Sequence, residues 1–390
     1  MPEKMKRRIF FFCCARSEYD LLIAVVKAAA ATPLLEPEVI ASGALLSPFH
    51  GMGVEEIQRD NVKIAGAVES MLSSESWQGK ALSFAQLMQG LTYLLSTNRP
   101  DILFVVGDRD EPLAAALVAI FLGIPVAHLH GGDRCITSDL DELWRPAISK
   151  LAHLHFTATE SHRQRLIRMG EYPDRVWTTG GAGLDRLREA ADVPDEVLSQ
   201  EFGIDVRKPF YILIQHPSSA LNPQVSGEEM REILRGILSL GYPIFCGYPN
   251  HDPGNVAIRQ AIDEARAGSD KLIVYHNLPR DRFVALYRRC TAIVGNSSSI
   301  VIESGFLKVP GILLGPRQDL RERGPNVIRV EISAEDVKAA CLRALEDEQY
   351  REMVRNCPSL YGDGHSAQRI VNILAEIPLS RELLLKTMTY

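Results

Sequence analysis

The sequence predicts an α/β protein of two domains, each a parallel sheet with helices on both faces. Three observations predict it. Short apolar runs such as RRIFFFCC (7–14), DILFVV (101–106) and FYILIQ (210–215) alternate with longer segments whose apolar residues recur at helical spacing. The runs are apolar throughout rather than at every second position, as strands covered on both faces are. The 390 residues suffice for two ordinary domains, and a polar stretch around 186–207 divides two such series.

In order, RRIFFFCC reads as a first strand, ARSEYD as a polar turn and LLIAVVKAAAA as a helix. PEVIASG (37–43) is a second strand, and residues 44–80 are less regular. SFAQLMQGLTYLLSTNRP reads as a helix ending near Pro100, and DILFVVGDRDE as a strand and loop. PLAAALVAIFLG is a helix closed by Gly123. IPVAHLH, HLHFTATE and RVWTTG complete the first series of strands. The second comprises FYILIQH, YPIFCGY, KLIVYH, TAIVGN and GILLG, and SAQRIVNILAEI is a helix of the tail. The domains are expected over 1–190 and 205–365, facing each other across a cleft, with a helical tail over 366–390. In open parallel sheets ligands bind outside the carboxyl ends of the strands, so the loops there are the places to search.

Composition narrows the function. Apolar residues make up 46% and charged residues 24%, as in a globular protein. A net charge of -6 argues against general affinity for nucleic acid or an anionic membrane. No apolar run reaches the length of a membrane span. The start, MPEKMKRRIFFFCC, lacks a cleavage site after its apolar run and reads as a strand rather than a signal peptide. Seven scattered cysteines without zinc spacing fit a reduced, cytoplasmic compartment.

The ionisable residues gather at strand ends. Asp108, Arg109, Asp110 and Glu111 follow DILFVV, where they could form a site or cap the next helix. In HLHGGDRCITSDLDELWR (128–145), His128 and His130 alternate on a strand, and Gly131-Gly132 permits a tight turn. Asp139, Asp141 and Glu142 open a helix on which Asp141 and Arg145 share a face. A solvated ion pair on a capped helix is the plain alternative. His216 ends FYILIQ. In GNSSSIVIESG, serines precede an apolar helix, the pattern of an anion site or of simple capping. Glu303 lies about one turn on and could accept hydrogen bonds from a ribose diol. Arg317, Arg321 and Arg323 in GPRQDLRERG could neutralise a diphosphate.

Taken in order, RSEYD, VVGDRDE, HLHGGD, DELWRPAISKLAHLHF, QHP, GNSSS, GPRQ and GPNVI resemble the hydrolysing nucleotide-sugar 2-epimerases of sialic-acid-type pathways. The resemblance implies two Rossmann-like domains on the glycosyltransferase-B scaffold. It implies conversion of a nucleotide-activated 2-acetamido sugar, UDP-N-acetylglucosamine first among them, to the free C2 epimer and UDP by elimination and hydration. Related members take GDP-linked or 2,4-diacetamido-trideoxy sugars. Neither a cofactor nor a metal is implied, and a homodimer or homotetramer is. By motif, Asp108 matches the aspartate of the family GDR, Asp141 and Arg145 the acid and arginine of its D[DE]xxR helix, and His216 its HP histidine. Ser297 and Ser298 match its phosphate-holding serines, Glu303 its ribose acid and Arg317 the arginine of its G-x-RQ loop. Arg16 and Arg109 resemble phosphate or sugar contacts, and Arg321 joins Arg317 on the diphosphate side.

The chain departs from the pattern where some members have HxEGGE. Here His130 stands in place of the first glutamate and Asp133 in place of the second, so His130, Asp133, Asp141 and Glu142 are all candidates for acid–base work, and the sugar specificity is open. A non-hydrolysing 2-epimerase, a glycosyltransferase and a nucleotide-sugar binding protein without turnover are the other readings.

Overall fold

The computed structural model describes all residues except 1–5, 49–50, 73–75, 136–140, 219–222, 251–252, 277 and 390, and no side chain at 141 or 223. Two parallel sheets organise them. The first joins β1 (Arg7–Cys13), β2 (Leu35–Ser42), β3 (Ile64–Val68), β4 (Ile102–Val106), β5 (Val126–Leu129), β6 (Leu154–Thr157) and β7 (Val176–Thr178) in the order β3-β2-β1-β4-β5-β6-β7. The second joins β8 (Tyr211–Ile214), β9 (Ile244–Gly247), β10 (Leu272–Tyr275), β11 (Ala292–Gly295), β12 (Gly311–Leu314) and β13 (Val327–Val330) in the order β10-β9-β8-β11-β12-β13. Each is a doubly wound sheet whose order reverses once, between β1 and β4 in the first and between β8 and β11 in the second.

The apolar runs are strands because both faces are covered. Along β1, Ile9, Phe11 and Cys13 join the core under helices Arg16–Ala30 and Ser366–Glu376. Phe10 and Phe12 join the opposite core, under helices Trp77–Thr97 and Asp110–Phe121. Each fully buried phenylalanine contributes roughly 1.5–3 kcal/mol, and the two arginines of β1 stand at its half-buried start, ahead of the fully buried Ile9–Cys13. The described residues cluster into two compact units. The first takes the chain up to Arg186 and again from Gly362, and the second is chiefly Leu187–Tyr361. The tail joins the first unit because the Asp185 carboxylate accepts from the amides of Ser366 and Ala367 at 3.0 and 2.9 Å, satisfying the open end of helix Ser366–Glu376.

Two strands were not anticipated. The segment read as irregular over 44–80 contains β3, and β13 follows the GPRQ loop. Both lie at sheet edges and are largely half-buried; β3 (IAGAV) is made of small residues around Gly66, and Arg329 interrupts β13 (VIRV).

Candidate active site

In the first unit, the candidate residues converge on one guanidinium. Arg145, on helix Asp141–Leu151, is almost fully buried, with its side chain 3% exposed. Its Nη2 donates to the Asp108 carboxylate just beyond β4. Its Nη1 lies 3.7 Å from Asp133 and 3.8 Å from Glu142. Asp133 in turn lies 3.4 Å from Nε2 of the buried His162. Three carboxylates thus approach one guanidinium at the carboxyl end of the sheet. Asp108 is the more open member of its pair, with 23% of its side chain exposed.

The turn after β5 makes this convergence possible. His130 has a left-handed backbone (φ 66°), a conformation that costs a non-glycine residue of order 1–3 kcal/mol and that only a few per cent of such residues adopt. Gly132 is also left-handed, and a Cβ there would lie 2.4 Å from the His162 carbonyl oxygen, so the chain can pass against the helix Glu160–Arg168 only as glycine. Arg165 of that helix donates to the Gly132 carbonyl. His128 supports the site without joining it. Its Nε2 donates to the Gly107 carbonyl at 2.8 Å, and its Nδ1 pairs with the Ser149 hydroxyl at 3.1 Å. Burial pushes its pKa down to about 3, so it stays neutral.

The remaining first-unit candidates are divided. Arg16 pairs with Glu56 at 2.8 Å, and Arg109 with Glu111 at 3.1 Å, both partly exposed pairs. Asp141 opens its helix, but its side chain lies outside the described residues, as does Asp139. Asp110, part of the polar cluster after β4, has its carboxyl pushed up to about 6 by burial and by neighbouring Glu111. His162 was also missed. It sits within ATESHRQR and has no sequence signal of its own, because its partner comes from a different loop.

In the second unit, His216 follows β8 and Asn296 follows β11, side by side where the strand order reverses. The Asn296 side chain brackets the histidine backbone. Its Oδ1 accepts from the His216 amide at 2.8 Å, and its Nδ2 donates to the His216 carbonyl at 2.9 Å. Gly295 closes the strands together there, since a Cβ would lie 2.0 Å from the Ile214 carbonyl oxygen. The Asn250 amide donates to His216 Nδ1 at 3.2 Å, which puts the ring proton on Nε2. Burial, then the charge of Arg317, pushes the His216 pKa down to about 3. At neutral pH it is therefore uncharged and presents an Nε2–H donor. Arg317 and Gln318 both donate to the Asn296 carbonyl, at 3.3 and 3.1 Å, and Arg321 donates to Gln318 at 2.5 Å. Ser297 caps the short helix Ser298–Ile302, and Glu303 follows at its end. This unit therefore gathers His216, Asn296, Ser297, Ser298, Arg317 and Arg321 on the loops after the three adjacent strands β8, β11 and β12, a place rich in donors. Among the described residues no cluster of three or more His, Cys, Asp or Glu side chains could hold a metal ion.

The family profile of UDP-N-acetylglucosamine 2-epimerase matches residues 27–375, most of the chain. The chain belongs to that epimerase family. A hydrolysing UDP-N,N'-diacetylbacillosamine 2-epimerase of Legionella pneumophila is 34% identical over 99% of this chain and 100% of its own length. A GDP/UDP-N,N'-diacetylbacillosamine 2-epimerase (hydrolysing) of Campylobacter jejuni is 28% identical over 89% of each. Among solved structures, UDP-GlcNAc 2-epimerase of Neisseria meningitidis bound to UDP-GlcNAc superposes with a TM-score of 0.81 at 21% identity, covering 96% of this chain and all of that one. The epimerase therefore has the glycosyltransferase-B-like fold of two parallel α/β sheets that the sequence predicts.

Proposed function

We propose that the protein is a hydrolysing 2-epimerase for a UDP-linked 2-acetamido sugar, with UDP-N,N'-diacetylbacillosamine ahead of UDP-N-acetylglucosamine as substrate. The full-length match to the Legionella enzyme supports that order. The observation that carries the chemistry is the buried Arg145 shared by Asp108, Asp133 and Glu142. A base on the first unit removes the C2 proton, the C1–O bond to the diphosphate breaks and a C1=C2 double bond forms. Water then adds its oxygen at C1, and a proton returns to C2 from the opposite face. His130, Asp133, Asp108, Asp141 and Glu142 supply the acid and base, and Arg145 offsets the charge that develops. On the second unit, Ser297, Ser298, Arg317 and Arg321 hold the diphosphate with the His216 Nε2–H, and Glu303 holds the ribose.

Turnover in D2O with each of the two UDP sugars tests this. Free UDP should appear stoichiometrically with a sugar carrying deuterium at C2. Release of UDP with the C2 hydrogen retained would rule out epimerisation, and return of an intact nucleotide sugar would identify a non-hydrolysing enzyme.

The protein also self-associates through helix Trp77–Thr97. At 3.6 residues per turn, Gln78, Leu82, Ala85, Gln89, Tyr93 and Ser96 share one outward stripe. All six are exposed and none is charged, whereas helix Glu348–Asn356 turns Glu348, Arg351, Glu352 and Arg355 to solvent. An uncharged stripe with exposed Leu82 and Tyr93 is self-complementary about a twofold axis, with no like charges opposed. Light scattering on the eluted protein should give at least twice the chain mass, and the double variant Leu82→Glu/Tyr93→Glu should give the monomer. A monomeric wild type overturns this reading.

A further inference from the structure

The chain's last residues carry a buried charge that none of the proposed chemistry uses. The Lys386 ammonium, 15% exposed, pairs with Glu171 at 2.6 Å and donates to the carbonyls of Ser149 and Ala152 at 3.0 and 2.5 Å. Those carbonyls lie at the C-terminal end of helix Asp141–Leu151, where backbone oxygens lack helical partners and a cation is favoured. Glu171 is buried and also takes Lys150 at 2.6 Å and His155 at 3.0 Å. Burial pushes Lys386 down to about 8, so it remains charged at neutral pH. The segment around it is held as well. Arg175 donates to the carbonyls of Glu382, Leu383 and Leu385, and the Tyr172 and Thr387 hydroxyls bond each other.

Two short routes run from this ammonium to the carboxylate network. One follows the helix itself, which carries Arg145 and Glu142 one to two turns before Ser149. The other passes through the Ser149 hydroxyl to His128, and from His128 to the Gly107 carbonyl that precedes Asp108. We infer that Lys386 is a positioning residue for the epimerase reaction, holding the last turn of helix Asp141–Leu151 so that Arg145 and Asp108 meet in register. This rests on the function proposed above. Small displacements of acid–base groups are worth large factors in rate, so the segment around Lys386 bears on turnover through the helix that it holds.

The test uses the full chain with Lys386→Met, which keeps the apolar stem, and Lys386→Arg, which keeps the charge and donors. Steady-state UDP release gives kcat and KM, and hydrogen exchange follows the amides of 145–153 well below the melting temperature. Lys386→Met should lower kcat by about 10–100-fold with KM nearly unchanged and should speed exchange in the helix's last turn. Lys386→Arg should restore most of both. A purely structural lysine would change the melting temperature but not kcat at 25 °C. Wild-type kcat in Lys386→Met overturns the inference. So does failure of Lys386→Arg to recover a kcat lost in Lys386→Met. If the wild type itself releases no UDP, the proposed function fails. Exchange then decides the lysine's role alone, with equal protection in wild type and Lys386→Met counting against it. If Lys386→Met does not fold, Glu171→Gln, which removes the charged partner of Lys386 together with that of Lys150 and His155, takes its place, and it should lower kcat and speed exchange in the helix's last turn, wild-type kcat again overturning the inference.

Discussion

Asp108→Asn is expected to lower turnover by about 10²–10⁴-fold, the range for loss of a positioned acid–base group. KM for the UDP sugar should change little, because the residues proposed to hold the nucleotide belong to the second sheet. Asparagine preserves the shape and keeps one oxygen for Arg145. That matters because Arg145 is buried and its other neighbours, Asp133 and Glu142, remain at 3.7 and 3.8 Å. Removing Arg145 instead would strip three carboxylates of their shared cation. Breaking a buried pair from one side costs about 3–5 kcal/mol, and lost activity would then be inseparable from lost fold. Asp108→Asn avoids this, since only the more open partner of the pair loses charge. Single-turnover UDP release, with deuterium incorporation at C2 from D2O, is the measurement. A variant within about threefold of wild type, well below the effect of a lost acid–base group, would remove Asp108 from the chemistry and leave it a counter-ion for Arg145.

Much of this organisation was legible in the sequence, and the exceptions share a cause. β1, β4 and β8 announce themselves because both their faces are buried, which forces an unbroken apolar run. β3 (IAGAV) and β13 (VIRV) do not, because small residues around Gly66 and the charge of Arg329 weaken the pattern, whereas the edge strands β7 and β10 keep readable runs. Within the site, the Arg145–Glu142 contact follows from helix spacing alone. The Arg145–Asp108 pair spans 37 residues and exists because β4 and β5 are adjacent and the HGGD turn folds back against helix Glu160–Arg168. His162 was overlooked for the same reason, and Asn296, visible ahead of the serines of GNSSS, gave no sign of its bonds to the His216 backbone. Each acts on a loop from a different strand, and no local pattern marks the relation. HLHGGD did carry its signal, since the glycines predicted a tight turn, and the left-handed His130 and Gly132 provide it.

Asn296→Ala is expected to lower stability by about 2–4 kcal/mol, because it leaves two His216 backbone groups, the amide and the carbonyl, without their partners in a buried place, at roughly 1–3 kcal/mol each. The wild-type side chain makes both bonds at once, at 2.8 and 2.9 Å, and so ties the loop after β8 to the loop after β11 as a further rung of the sheet would. The same residue's carbonyl collects Arg317 and Gln318. Losing the side chain should therefore disturb the His216 ring and the Arg317 guanidinium together, although neither has been changed. In the proposed function both face the diphosphate, so UDP affinity measured by calorimetry should fall by about tenfold or more, equivalent to about 1.4 kcal/mol. Urea unfolding of the same variant reads the stability term separately. A stability change within about 0.5 kcal/mol, typical of an inconsequential surface substitution, would mean that water or another donor replaces the asparagine. Loss of stability with unchanged UDP affinity would make the bracket a purely structural clasp. The phosphate-holding role would then rest on Ser297, Ser298 and Arg321, whose placement does not depend on the Asn296 side chain.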